Sequence, residues 1–267
     1  MKKFIVLITL LLMAIFNYES VAQVITSQEE MAAKDTLAAN LMKAQSLADQ
    51  GNMEEALKIY IRLIETYPDD KAAVQGWIIT KARIAQGGPE EMLKSLEQLQ
   101  EMFPMNSGIL FWKAFMEASM DQNEAALIDL NELIKIQPDT ALHYIIKAQV
   151  LGAMEEYGEA IEALERATSL DPTRPDVWGM KAGALAKVGK FDDALTAMNK
   201  GLELAPNEPV NIYNRACIYC LKGDKVNALA DLEKAISLNP SLKQQAPRDE
   251  DFKGLYDDEE FKKLTLQ

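Results

Sequence analysis

Histidine occurs once in this 267-residue chain, at position 143, and cysteine twice, at 217 and 220. A lone imidazole without a histidine partner speaks against a histidine metal site and against triad chemistry. No glycine-rich phosphate loop and no Gly-x-Ser-x-Gly elbow occurs, which removes the common nucleotide-binding and hydrolase signatures. No acidic loop carries the central glycine that a calcium site of that kind needs. Basic residues are also scarce: 28 Lys and Arg stand against 41 Asp and Glu, a net charge of −13. Nucleic acid is therefore excluded as an expected partner, and an anionic membrane surface is disfavoured.

Long apolar runs are missing as well, with one exception at the start. Lys2 and Lys3 precede an apolar run from Phe4 to Phe16, followed by Ser20-Val21-Ala22 and Gln23. The run is too short to span a bilayer comfortably, and the small residues before Gln23 fit a processing site. Residues 1–22 are read as a secretory signal peptide cleaved after Ala22, the alternative being a retained membrane anchor. No cysteine lies near that position to carry a lipid. Cleavage removes Lys2, Lys3 and Glu19 and leaves 26 basic against 40 acidic residues, a net charge of −14. The mature chain is expected to be exported, in the periplasm first of all, or else secreted or associated with the envelope.

What the chain has in abundance is repetition. Pro138, Pro172, Pro206 and Pro240 stand 34 residues apart, as do Ala126, Ala160, Ala194 and Ala228. Lys113, Lys147, Lys181 and Arg215 keep the same period, each followed by an alanine. Within one unit Tyr144, Ala148 and Leu151 share one helical face, and Ala160, Leu164 and Ala167 share another after a break at Glu155-Glu156. Each unit therefore reads as two short amphipathic helices. The second closes at Leu170-Asp171-Pro172, where proline pushes the residue before it out of helical geometry. A period of this length predicts stacked helix pairs, each contacting only its neighbours.

These residues resemble the tetratricopeptide repeat. The unit ending at Pro172 carries the resemblance through Tyr144, Ala148, Tyr157, Ala160 and Ala167, the next through Trp178, Gly189, Phe191, Ala194 and Pro206, and the last through Tyr219, Gly223, Ala228, Ala235 and Pro240. Gly51, Ala56, Tyr60 and Pro68 mark a first unit, and Ala126 with Pro138 a further one. Pro68 to Pro104 is a degenerate unit of 36 residues, with Gly87-Gly88-Pro89 in a longer turn and Met92 at the usual alanine. The resemblance implies an all-α fold, a right-handed α-solenoid of about six antiparallel helix pairs over residues 37–240, preceded by a linker or short helix at 23–36. Residues 241–267 lose the period. Phe252, Leu255, Phe261 and Leu264 nevertheless continue an apolar pattern, read as a capping segment or, alternatively, as a docking peptide for another protein.

The carboxylate pairs Glu54-Glu55, Glu90-Glu91 and Asp192-Asp193 stand where second helices begin, which suits the helix dipole better than acid–base chemistry. The column Lys113, Lys147, Lys181 and Arg215 lies beside the packing face, so its stems are expected along a neighbouring helix with the charged heads at acids or water. On the opposite flank stand Phe111, Ile145, Gly179 and Tyr213, and one turn on Phe115, Gln149, Gly183 and Cys217. The resemblance implies that these columns face the concave groove. Aromatic side chains would there bracket a recess at Gly179 and Gly183 able to take an extended peptide or a short helix. The alternative is that these side chains simply fill a tightly wound interior.

Asn214 matches the middle contribution of the two-carboxylate clamp known in the family. Gly179 and Gly183 stand where its preceding Lys and Asn would be, so the clamp itself is absent. Cys217 and Cys220 have C-x-x-C spacing but lie within a first helix with no strand before it, which favours a structural pair over redox chemistry. Two function classes follow. The leading one is a non-enzymatic scaffold of the cell envelope, with no cofactor, binding a protein or peptide through the groove. The other is a thiol-redox or accessory enzyme using Cys217 and Cys220.

Overall fold

The structure, a computed structural model, describes residues 28–85 and 88–266. The expected signal peptide and the Gln86-Gly87 part of the long turn lie outside the described residues. All regular structure among the described residues is helical. First and second helices alternate as α1 (Gln28–Asp49) and α2 (Met53–Thr66), α3 (Lys71–Ala85) and α4 (Pro89–Met102), α5 (Ser107–Ser119) and α6 (Asn123–Ile136). There follow α7 (Ala141–Ala153) and α8 (Tyr157–Leu170), α9 (Pro175–Lys187) and α10 (Phe191–Leu204), α11 (Pro209–Lys222) and α12 (Lys225–Leu238). The expected six-pair α-solenoid is thus present. Its first helix begins at Gln28, so the boundary expected at residue 37 falls inside α1 rather than before it.

Sequence chemistry sets each boundary. Second helices are capped at their ends by Tyr67, Phe103, Gln137, Asp171, Ala205 and Asn239, and each of these residues donates its N–H to the carbonyl four back, as Asp171 does to Ala167. A proline follows every one of them and cannot continue the helix. Starts are marked by Pro89, Pro175 and Pro209 in the first turn and by side-chain caps from Asn106, Glu208 and Asp224. The acidic pairs Glu54-Glu55, Glu90-Glu91 and Asp192-Asp193 do occupy first turns of second helices. Tyr144 and Trp178, one period apart, each donate a ring hydrogen bond of 2.9 Å to the carbonyl of the preceding proline, Pro138 and Pro172.

In five of the six pairs the chain turns between first and second helix through one left-handed residue. Gly51, Gly189 and Gly223 take that position at little cost, whereas Asp121 and Glu155 are forced into it at φ 60° and 62°. Glu155→Gly is therefore expected to raise stability by about 1 kcal/mol. An unchanged or lowered denaturant midpoint would contradict the turn geometry.

Small residues fix the helix crossings. Ala56, Ala126, Ala160, Ala194 and Ala228 are all buried, and large aliphatic side chains fill the space beside them. The degenerate unit departs from this rule. Met92, buried at the alanine position, separates the helices with its bulk, and α3 packs more against α2 and α5 than against its own partner α4.

Neighbouring first helices touch along most of the array, while successive second helices make no comparable contact. The first helices therefore line the inner side of the curve. One join is looser than the others: α7 and α9 make less contact than α3 with α5 or α9 with α11.

Beyond α12 the chain forms a short helix, α13 (Leu242–Gln245), two 3-10 turns at Ala246–Arg248 and Glu250–Leu255, and α14 (Glu259–Leu266). Phe252, Leu255 and Phe261 are buried in the same apolar cluster as α11 and α12. The segment thus packs over the end of the array.

Candidate functional site

The two columns expected to line the groove divide sharply by accessibility. Phe111, Ile145, Gly179, Tyr213 and Cys217 are buried, Phe115 and Asn214 are half-buried, and Gln149 and Gly183 are exposed. Phe111 and Tyr213, expected as anchors for a partner, are thus enclosed by the protein itself, each for a different reason.

Phe111 lies under a lysine. Lys71, at the start of α3, reaches across α5 with its ammonium 4.2 Å from the Phe111 ring centre and 3.2 Å from His143 Nε2 on α7. Trp112 stacks edge-on against Phe111 and donates its indole N–H to the Lys71 carbonyl at 3.0 Å. Burial brings the Lys71 ammonium down to about 8, the Asp69 charge opposing the shift. His143 is fully buried; burial, then the Lys71 charge, brings its imidazole down to about 4. The ring is therefore neutral at pH 7 and accepts from Lys71, and its Nδ1 faces the Gln137 backbone without a well-formed hydrogen bond. This bridge over three first helices was not legible in the repeat pattern, because Lys71 and His143 occupy different columns.

Tyr213 is covered by the end of the chain. Its hydroxyl donates to Asp249 Oδ2 at 2.8 Å and its ring packs edge-on against Phe252. Lys187 on α9 reaches Asp251 at 3.3 Å. The capping segment thus lies over the α11 end of the inner face, including Cys217. Burial, reinforced by Asp249 and Asp251, pushes the Cys217 thiol well above its ordinary range, and burial with Asp251 raises Cys220 too. A redox nucleophile needs the opposite shift, so the thiol-enzyme reading loses its chemical support.

The middle of the face is different. A Cβ added at Gly183 would meet nothing within 4 Å, whereas at Gly179 it would stand 2.6 Å from the Asn211 side-chain oxygen. The expected recess is thus half filled: Asn211 occupies the Gly179 end, and the Gly183 end is open. This opening coincides with the loose join between α7 and α9. Phe115 stands two first helices before α9 and packs edge-on against Trp112.

The basic column has the structural role expected of it. Lys147 donates to Asn131 at 2.9 Å, Lys181 lies 3.5 Å from Glu165, and Arg215 grips Asp231 with two nitrogens. Lys113 departs from its equivalents in facing two carboxylates, Asp129 at 2.9 Å and Glu117 at 3.6 Å. Glu117 is only 3% exposed, and burial, then the Asp129 charge, pushes its carboxyl up to about 7. The recurring spacing of 16 between the basic column and its partners was the sequence signal for this network.

Three stretches of the chain match models of the tetratricopeptide repeat: residues 38–70, 153–211 and 211–242. Among solved structures, MamA 41-end from Desulfovibrio magneticus RS-1 superposes with a TM-score of 0.58 at 21% identity, covering 64% of this chain and 97% of that one. YrrB, described as a TPR protein with an unusual peptide-binding site, gives 0.56 at 19% identity, covering 68% and 92%. The C-terminal part of a TPR repeat-containing protein from Cytophaga hutchinsonii gives 0.59 at 14% identity, covering 84% and 92%. At these identities the likeness carries the fold. No curated protein matches this sequence.

Proposed function

Since this chain belongs to the tetratricopeptide repeat family, we propose that it is a non-enzymatic scaffold of the cell envelope that binds a protein or peptide along its inner face. The observation that carries this reading is the uncovered stretch around Gly183 and Gln149, between a Lys71 bridge on one side and the capping segment on the other. Phe115 and Asn214 flank it as partly accessible contacts. The peptide-binding site named for YrrB supports a peptide-sized partner. Export rests on the charged and apolar start of the chain and its small residues before Gln23. Among the described residues no helix is long and apolar enough to cross a membrane.

Partners are captured from an envelope extract on the immobilised protein, and the bound species is then titrated against variants. Gly183→Leu should block the opening and weaken binding at least tenfold while leaving helicity intact, since leucine is the better helix former and its Cβ would meet nothing within 4 Å. Phe115→Ala should weaken it less. Wild-type affinity in a folded Gly183→Leu variant would reject the groove as the binding surface. N-terminal sequencing that found Met1 on a cytoplasmic product would reject the envelope location.

A further inference from the structure

Cys217 on α11 and two aspartates of the capping segment, Asp249 and Asp251, bring one sulfur and two carboxylate oxygens within 4.8 Å of one another. The sulfur and the carboxylates come from elements more than thirty residues apart, joined only because the capping segment folds back over the inner face. The thiol is 5% exposed, and among the described residues it forms no disulfide and no hydrogen bond. One side of this sulfur belongs to the apolar cluster of α11 and α12, and the other is left against two acids with no hydrogen bond to either.

The surroundings resemble the support that metal ligands receive. Tyr213 donates to Asp249 Oδ2 at 2.8 Å, and Asp249 Oδ1 accepts the Asp251 backbone N–H at 3.1 Å, so this carboxylate is held in orientation from outside. Asp251 is held more loosely, by Lys187 at 3.3 Å. Without a cation, packing a thiol against two carboxylates is unfavourable for any charge on the sulfur. A divalent ion reverses that balance, because it favours the thiolate and neutralises the acids together.

We propose that Cys217, Asp249 and Asp251 form a binding site for a borderline divalent ion of the zinc type, which latches the capping segment onto α11. One thiolate with two carboxylates suits such an ion better than magnesium or calcium, which take oxygen alone. With bonds of about 2.0 Å to oxygen and 2.3 Å to sulfur, tetrahedral ligand atoms lie about 3.5 Å apart. The three donors must therefore close in, which Asp251 can do by releasing Lys187. Binding releases the Cys217 proton to solvent as the sulfur–metal bond forms, with no change of oxidation state. Three protein ligands leave a fourth position for water.

The test uses the full chain, reduced, with cobalt(II) as a spectroscopic probe and zinc(II) in equilibrium dialysis. One ion should bind per chain, with a sulfur-to-cobalt charge-transfer band in the near ultraviolet. Cys217→Ala should abolish the band, Asp251→Asn should weaken zinc binding at least tenfold, and Cys220→Ser should leave both unchanged. Zinc should also slow amide exchange in residues 242–266. Should Cys217→Ala fail to fold, Cys217→Ser, which keeps the side chain's size, must show the same loss of the band. Absence of a thiolate band at millimolar cobalt, or a band that survives Cys217→Ser and vanishes in Cys220→Ser, would overturn the proposal.

Discussion

Gly76→Ala is expected to destabilise the protein by about 2 kcal/mol or more, although a glycine inside a helix is ordinarily improved by alanine. Gly76 lies in the middle of α3, where helix propensity alone promises a gain of about 1 kcal/mol. Packing works against it. A Cβ there would stand 2.5 Å from Tyr60 Cζ and 2.7 Å from its hydroxyl oxygen. Tyr60 is 2% exposed at the crossing of α2 and α3 and belongs to the apolar cluster that runs through the first three units, so its ring has no free direction to move in. Overfilling a core of this kind typically costs about 1–3 kcal/mol, and moving a buried ring belongs at the upper end of that range. The measurement is the urea midpoint of Gly76→Ala beside that of a Tyr60→Leu, Gly76→Ala double variant. If the clash is the cause, adding Ala to the Tyr60→Leu background should cost far less than adding it to the wild type. A raised midpoint in the single variant would show that Tyr60 and Gly76 are not in contact.

Such a contact shows where reading from sequence stopped. The repeat columns were legible because each does much the same thing in the regular units: alanine at the crossing, proline after the second helix, a basic residue reaching the second helix before or after its own. Gly76 belongs to the degenerate unit, where the period slips to 36 residues and Met92 replaces the small residue. There the columns stop predicting neighbours. The inner-face columns were placed correctly on the first helices, but periodicity says nothing of what lies over them. Whether Phe111 and Tyr213 are open depends on Lys71 and on Asp249 and Phe252, and these come from outside the repeating positions. The opening at Gly183 was legible because a missing side chain needs no knowledge of rotamers. The filling of Gly179 by Asn211 was not, because Asn211 sits one unit further along the chain.

The pH dependence of stability should contain two opposed contributions that conceal each other in the wild type. Glu117 has its pKa pushed up to about 7 in the folded protein from 4.5, chiefly by burial and then by Asp129. Between those values the folded state holds a proton that the unfolded chain has lost, so this contribution falls as pH rises from 4.5 to 7. His143 has its pKa lowered to about 4 from 6.5, by burial and then by Lys71. Between those values the unfolded chain holds the extra proton, so this contribution rises with pH from 4 to 6.5. Each amounts to about 1–3 kcal/mol at 1.36 kcal/mol per unit, and over the shared window they offset. Asp49, Asp224 and Asp258, whose carboxyls are lowered by their hydrogen bonds, act below this window, and Lys71 acts above it. Glu117→Gln removes the falling contribution, so its urea midpoint should climb between pH 4 and 6.5 and exceed the wild type at pH 8. His143→Gln removes the rising one and keeps a hydrogen-bonding side chain for Lys71, so its midpoint should drop between pH 4.5 and 7. Parallel profiles for all three proteins would show that neither Glu117 nor His143 titrates as its burial requires.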